Sequence, residues 1–316
     1  MHLDADLNEL ERHLVIPTAD GRPGCIIGWL ATVYFEKPWT RPVREAVAEA
    51  GEHYIGQLRD HLVWARRSGS TYLYRMGTKN VRMPREWLPD RDETEGWSWG
   101  FHGGEKEDDA SPFQVSAMGS HPVDKDLGYF HARLPFSWFA QHPDTTFADF
   151  VLPMCKRLRP LSGYAGLGFL LPLTVEGKIL GEPLVTPLAS RFPGLEVDDP
   201  GGGTFSLHDG IKGVNWLTIL SDRWVEAAGG RDYLRIRLDE PTFPFYPYDG
   251  GLMIQAGPKP QIGDTTRDLW PEHYVTLHKV LKKIQIKKYG RFHLGGPGPR
   301  MDQPATLAWL VRFDGK

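Results

Sequence analysis

Cysteine is almost absent from this 316-residue chain, which holds only Cys25 and Cys155. Two thiols are too few for a disulfide framework or a four-thiolate zinc site, and they read as small buried hydrophobes in a reducing compartment. Long apolar runs are lacking as well. The best stretch, Ala165 to Leu173, has about half the 18 residues that a membrane-spanning helix needs, and it contains glycine and proline. Neither sign of charge is in excess: 37 Lys+Arg stand against 40 Asp+Glu, for a formal charge of -3 and a pI near 6.5. A dedicated nucleic-acid binder usually shows a basic balance, so that class is disfavoured. The opening Met1-His2-Leu3-Asp4-Ala5-Asp6-Leu7 carries acids where a secretory signal needs a basic start and an apolar run, so a cytoplasmic location is expected.

Hydrophobic residues make up 41% of the chain and aromatics 12%, ample for a sizeable core in one large or two small domains. Residues 23–35 are apolar, β-branched and aromatic, the signature of a strand. Pro42 then opens a helical pattern with Val43, Val47, Ala50, Tyr54, Leu58 and Leu62 on one face. Residues 68–112 read as irregular. Strands follow at Phe113 to Met118 and Tyr129 to Leu134, then a helix capped by Asp144 or Thr145 with Phe147, Phe150, Val151, Met154 and Leu158 inward; Pro153 should kink or shorten it. The second half offers a buried strand over Tyr164 to Leu173 and helical segments near Pro183 to Phe192 and Ser221 to Ala228. Strands are expected at Tyr233 to Leu238 and Leu252 to Ala256. A last helix places Tyr274, Leu277, Leu281 and Ile284 on one face.

Strand, helix, two strands and helix thus occur twice. The expectation is an α+β fold with a mixed, mostly antiparallel sheet flanked by helices. It is arranged either as two related lobes, 1–160 and 161–316, or as one fused sheet.

Chemical motifs are sparse. No two of the twelve histidines have the i,i+4 spacing that puts two imidazoles on one helical face, and no Cys or carboxylate cluster completes a metal set. The glycines at 163–168 and 201–203 have the wrong order or context for a phosphate loop and read as turns and close backbone packing. Asp144 with Glu176 and Lys178 loosely matches the acid, acid and lysine of metal-dependent nucleases. Against it, Asp144 stands where a helix cap is needed, and Gly177 makes 176–178 look like a hairpin turn.

Charge is distributed more informatively. Between Asp90 and Asp109 lie eight acids and two bases, with Trp97, Trp99 and Phe101 interleaved and four glycines. Read as an acidic mobile loop, this segment offers Asp92, Glu93, Glu95, Trp97, Trp99, Glu105, Glu107, Asp108 and Asp109 to a basic groove. The alternative is a solvated insertion with its tryptophans tucked onto the domain. Conversely, Lys279, Lys282, Lys283, Lys287, Lys288 and Arg291 place six bases and no acids within 13 residues; Lys279, Lys282 and Lys283 share the face opposite Leu277, Leu281 and Ile284 and read as a solubilising outer face, with a nucleic-acid contact as the alternative.

Four strings carry a resemblance. They are Gly163-Tyr164-Ala165-Gly166-Leu167, the run from Arg191 through Pro193-Gly194 to Asp199-Pro200, Gly210-Ile211-Lys212-Gly213-Val214-Asn215-Trp216-Leu217-Thr218, and Gly251-Leu252-Met253-Ile254-Gln255-Ala256-Gly257. Together they resemble the type VI secretion immunity family, whose members neutralise VRR-NUC and other restriction-endonuclease-like toxins. The resemblance implies a cytoplasmic, non-enzymatic antitoxin that binds a nuclease effector, without cofactor, metal, membrane or direct nucleic-acid partner. It brings no catalytic residues. Asp198, Asp199, Asn215 and Trp216 are its motif residues, with structural roles in turns, backbone bridging and core; a toxin-facing Asp198–Asp199 pair is the alternative.

Overall fold

A computed structural model describes residues 14–66, 68, 70 and 72–316. The reading of Met1–Leu7 lies outside the described residues. The chain opens with β1 (Val15–Pro17), β2 (Pro23–Phe35) and α1 (Arg41–Leu58), continues with β3 (Trp64–Arg66), β4 (Leu73–Arg75), β5 (Trp97–His102), β6 (Gln114–Gly119) and β7 (Gly128–Leu134), and then forms α2 (Trp138–Gln141) and α3 (Phe147–Leu158). The second half runs β8 (Ser162–Leu170), α4 (Val175–Arg191), β9 (Glu196–Val197), α5 (Pro200–Ser206), β10 (Leu217–Ser221), α6 (Asp222–Ala227), α7 (Gly230–Arg237), β11 (Phe245–Tyr248), β12 (Gly251–Gln255), α8 (Glu272–Leu281) and α9 (Gln303–Leu310).

All twelve strands belong to one open sheet of order β11-β12-β10-β8-β2-β7-β6-β5-β3-β4, with β1 beside β2 and β9 beside β8. Every pairing is antiparallel except β8 with β9. The α+β fold expected from the sequence is the one observed. The halves meet at β2 and β8, which pair over nine residues from Ile26↔Leu170 to Tyr34↔Ser162. Their connections differ: β7, the last strand of the first half, lies beside β2, whereas β10, the next major strand after β8, lies beside β8.

Successive residues of a strand face opposite sides of a sheet, so neighbouring register rows separate the two faces. One row reads Ala65, Phe101, Val115, Ala132, Ala31, Ala165 and Leu217 from β3 to β10. This apolar face packs against α1 and α3; Tyr54 of α1 sits 5.6 Å from Phe130 and 4.9 Å from Phe150, ring to ring. The next row reads Arg66, Gly100, Ser116, His131, Thr32, Tyr164 and Thr218. It is polar on six of these seven strands, Gly100 of β5 being the exception, and the segment from α4 to α5 lies over it.

Several elements differ from expectation. Residues 68–112 are not irregular throughout, for they contain β4 and β5. Trp97, Trp99 and Phe101 are 2%, 1% and 2% exposed, so this is not a mobile tryptophan loop. Trp99 packs 5.8 Å from Phe130, and the Trp97 indole donates to the Pro38 carbonyl at 3.0 Å. Burial of these rings outweighs the glycines.

The cap of α3 is neither Asp144 nor Thr145. It is Thr146, whose hydroxyl accepts from the Asp149 amide at 3.1 Å while Asp149 answers the Thr146 amide at 3.1 Å. Glu176–Lys178 form the first turn of α4 rather than a hairpin, because the Thr174 hydroxyl caps the helix on the Gly177 amide. Tyr233–Arg237 is helical, not a strand, and Leu238 follows the helix. Leu234 and Leu238, four apart, are the buried pair, while Ile236 is 82% exposed.

Candidate functional site

The family-like strings converge inside the molecule. The His131 ring Nε2 lies 2.7 Å from Arg133 Nε, a group that can only donate, so Nε2 accepts and the ring proton sits on Nδ1. Nδ1 faces the Thr32 hydroxyl at 2.8 Å, and that hydroxyl donates to Asp198 Oδ1 at 3.0 Å. The Tyr164 hydroxyl donates to the same oxygen at 2.9 Å, with Arg133 Nη2 3.8 Å from Oδ2. Thr32 and His131 are wholly buried, and the Asp198 side chain is 1% exposed. Burial raises the Asp198 pKa, but the His131 ring, Arg133, Lys212 and the Tyr164 hydroxyl outweigh it and leave it lowered. Burial pushes His131 down to about 3.

A second set adjoins it. Lys212 Nζ lies 2.8 Å from Glu196 Oε1, both side chains being 3% exposed or less. Asn215 Nδ2 donates to Glu196 Oε2 at 2.9 Å, and its Oδ1 accepts from the Trp216 amide at 2.7 Å. Gly166 is required beneath this amide, since a Cβ there would come within 2.1 Å of Asn215 Oδ1. Trp216 packs 5.5 Å from Trp29 and 6.0 Å from Phe147, rings of the first half of the chain. Asp199 caps α5 on the Gly202 amide at 3.1 Å, and burial raises its pKa.

Hydroxyl, imidazole and carboxylate are all present here, yet the hydrogen bonds run against nucleophilic catalysis. There the base must accept the hydroxyl proton; here Thr32 gives its proton to Asp198, and Arg133 occupies the basic nitrogen of His131. The set braces the interior, its Thr32, His131 and Asp198 side chains being buried.

The nuclease-like trio is dispersed in role. Asp144 is exposed on the turn before α3 and Glu176 is exposed on α4. Lys178 belongs electrostatically to the buried set: burial lowers its pKa, while Asp199 and Asp198 raise it. Among the described residues no group of three or more His, Cys, Asp or Glu could hold a metal.

The acids of 90–109 form two turns at the two ends of β5. In the first, Glu93 accepts from the Arg41 amide at the start of α1 at 3.0 Å and lies 3.8 Å from buried Arg44. Asp92 holds Thr94, Asp90 lies 3.6 Å from Arg41, and Glu95 lies 3.1 Å from Arg91. In the second, Asp109 is buried and accepts from the Lys106 amide at 2.9 Å, and Asp108 accepts from Thr174 at 2.6 Å. Glu105 and Glu107 are exposed, with no ion pair among the described residues. The sequence pointed to the motif aspartates but not to Thr32, His131, Arg133, Glu196 or Lys212; only the polar residues alternating inside apolar strand patterns marked them.

The family described as type VI immunity for VRR-NUC matches residues 46–313. A solved structure of a Pseudomonas aeruginosa T6SS protein is 28% identical and superimposes with a TM-score of 0.86, covering 96% of this chain and 88% of that one. The curated proteins contain no match. Among the described residues, no helix is long and apolar enough to cross a membrane.

Proposed function

The chain belongs to the type VI immunity family for VRR-NUC, and on that premise we propose that it binds a cognate nuclease effector in the cytoplasm and neutralises it without chemistry of its own. One observation supports this reading above others. The polar residues of the family-like strings are spent on internal bracing, which leaves partner recognition to surface groups outside them, and exposed acids are prominent there. Of the acids between Asp90 and Asp109, Glu105 and Glu107 are exposed and without an ion pair among the described residues. A nuclease needs a basic groove for phosphate, and exposed acids would steer the two proteins together and compete for that groove.

The test is to mix the purified protein with the nuclease encoded beside it and to follow complex formation and DNA cleavage. A stable complex and loss of cleavage are expected. No complex, or full cleavage in the presence of excess protein, overturns the reading. The double variant Glu105→Lys/Glu107→Lys should associate about tenfold more slowly at low salt, and the difference should shrink as salt screens it. An unchanged association rate removes these two residues from the interface.

A further inference from the structure

A cleft of about 360 Å³ opens on the surface, lined by Ser68, Asn80, Arg82, Trp87 and Arg91. Its charged groups are both cationic. Guanidinium groups only donate, and a serine hydroxyl and an asparagine amide each add a donor. Both arginines are held from behind. Arg82 Nη2 donates to the Glu86 carbonyl at 2.6 Å, and Arg91 Nη2 lies 3.1 Å from Glu95. Arg91 nevertheless keeps a buried Nε–H that has no hydrogen-bond partner among the described residues. An adjoining recess shares Asn80, Arg82 and Trp87 and reaches Trp99, whose buried indole N–H is also without a partner among the described residues. Buried donors left unmet are a cost that an incoming acceptor removes.

We infer that this cleft receives the carboxylate of an aspartate or glutamate side chain projecting from the partner protein. The inference rests on the immunity reading above and adds the chemistry of one contact. Two guanidinium groups lining one cleft suit a planar oxyanion, and Trp87 supplies an apolar wall beside them. The neighbouring charges select the source. Asp90, Asp92, Glu93 and Glu95 lie on the same turn as Arg91, so a nucleic-acid strand, charged along its whole length, is repelled. A single carboxylate rising out of an otherwise basic protein surface satisfies both features, because its acid enters the cleft while its bases meet the turn.

The test compares binding of the purified toxin to the wild type, to Arg82→Glu and to Asn80→Ala, with thermal melting as the folding control. Arg82 is 62% exposed and Glu86 is its polar side-chain partner among the described residues, so its variant should fold. Arg82→Glu is expected to weaken binding at least tenfold with an unchanged melting temperature, and reversing one acid of the toxin to arginine should restore it. If the wild type binds and both variants bind equally well, the cleft is not a contact, although the immunity reading stands. If the wild type does not bind, both fall together. Two further arms address the source of the oxyanion. Melting with millimolar inorganic phosphate, and binding of labelled DNA at low salt, should show no Arg82-dependent effect; such an effect in either arm overturns the inference in favour of a small anion or a nucleic acid.

Discussion

Lys212 carries its charge into the interior, where Glu196 pairs with it and the rings of Tyr164 and Phe292 lie 4.6 and 4.5 Å from Nζ. Removing one partner of such a pair strands the other in a low-dielectric site. Lys212→Met should therefore cost about 3–5 kcal/mol, read as a lower urea midpoint. The double variant with Glu196→Gln should recover part of the loss, and equal midpoints for the single variant and the wild type would show that the pair is not buried in solution. At this scale the sequence was only partly legible. Asp199 preceding Pro200 reads as a cap or turn because its neighbours decide that role. Asp198 does not, since its partner Thr32 is 166 residues away and no local pattern links them.

Among the elements, β5 shows why local composition misleads. Trp97, Trp99 and Phe101 alternate with Ser98, Gly100 and His102, a period of two that argues for a strand, while the flanking acids and glycines argue for a loop. Burial of three rings decides between them. Trp99→Ala should cost about 3–5 kcal/mol of stability and lower the unfolding midpoint; a binding-loop tryptophan would instead lose affinity and leave the midpoint untouched. Long periodic segments were legible: β2 spans Pro23–Phe35 as read, and Tyr274, Leu277, Leu281 and Ile284 are all buried. By contrast α4 concealed its start, since its two internal prolines and Gly177 resemble punctuation, and only the Thr174 hydroxyl on the Gly177 amide reveals the cap. In and just after α7 the apolar residues 234, 236 and 238 imitate alternation, but the buried pair is spaced by four.

For the whole molecule, acid is the condition to vary. Burial lowers His131 to about 3, and His102 and His293 to about 4, against about 6.5 for an unburied imidazole. Between those values the unfolded chain binds protons that the folded protein excludes. Their contribution is thus intact above about pH 6.5 and is lost as the pH falls toward 4, at up to about 1.4 kcal/mol per pH unit for each histidine. Urea midpoints should decline steadily from about pH 7 to pH 5; a flat profile would mean that these rings are not held neutral inside.

The same polar row has a consequence for how the chain finds its shape. Slipping β3, β7, β2 or β10 by a single residue would drive Arg66, His131, Thr32 or Thr218 into the greasy layer under α1 and α3 and lift an alanine or a leucine out of it. The row therefore acts as an alignment key, penalising mispaired versions of a very wide sheet whose strands come from distant parts of the chain.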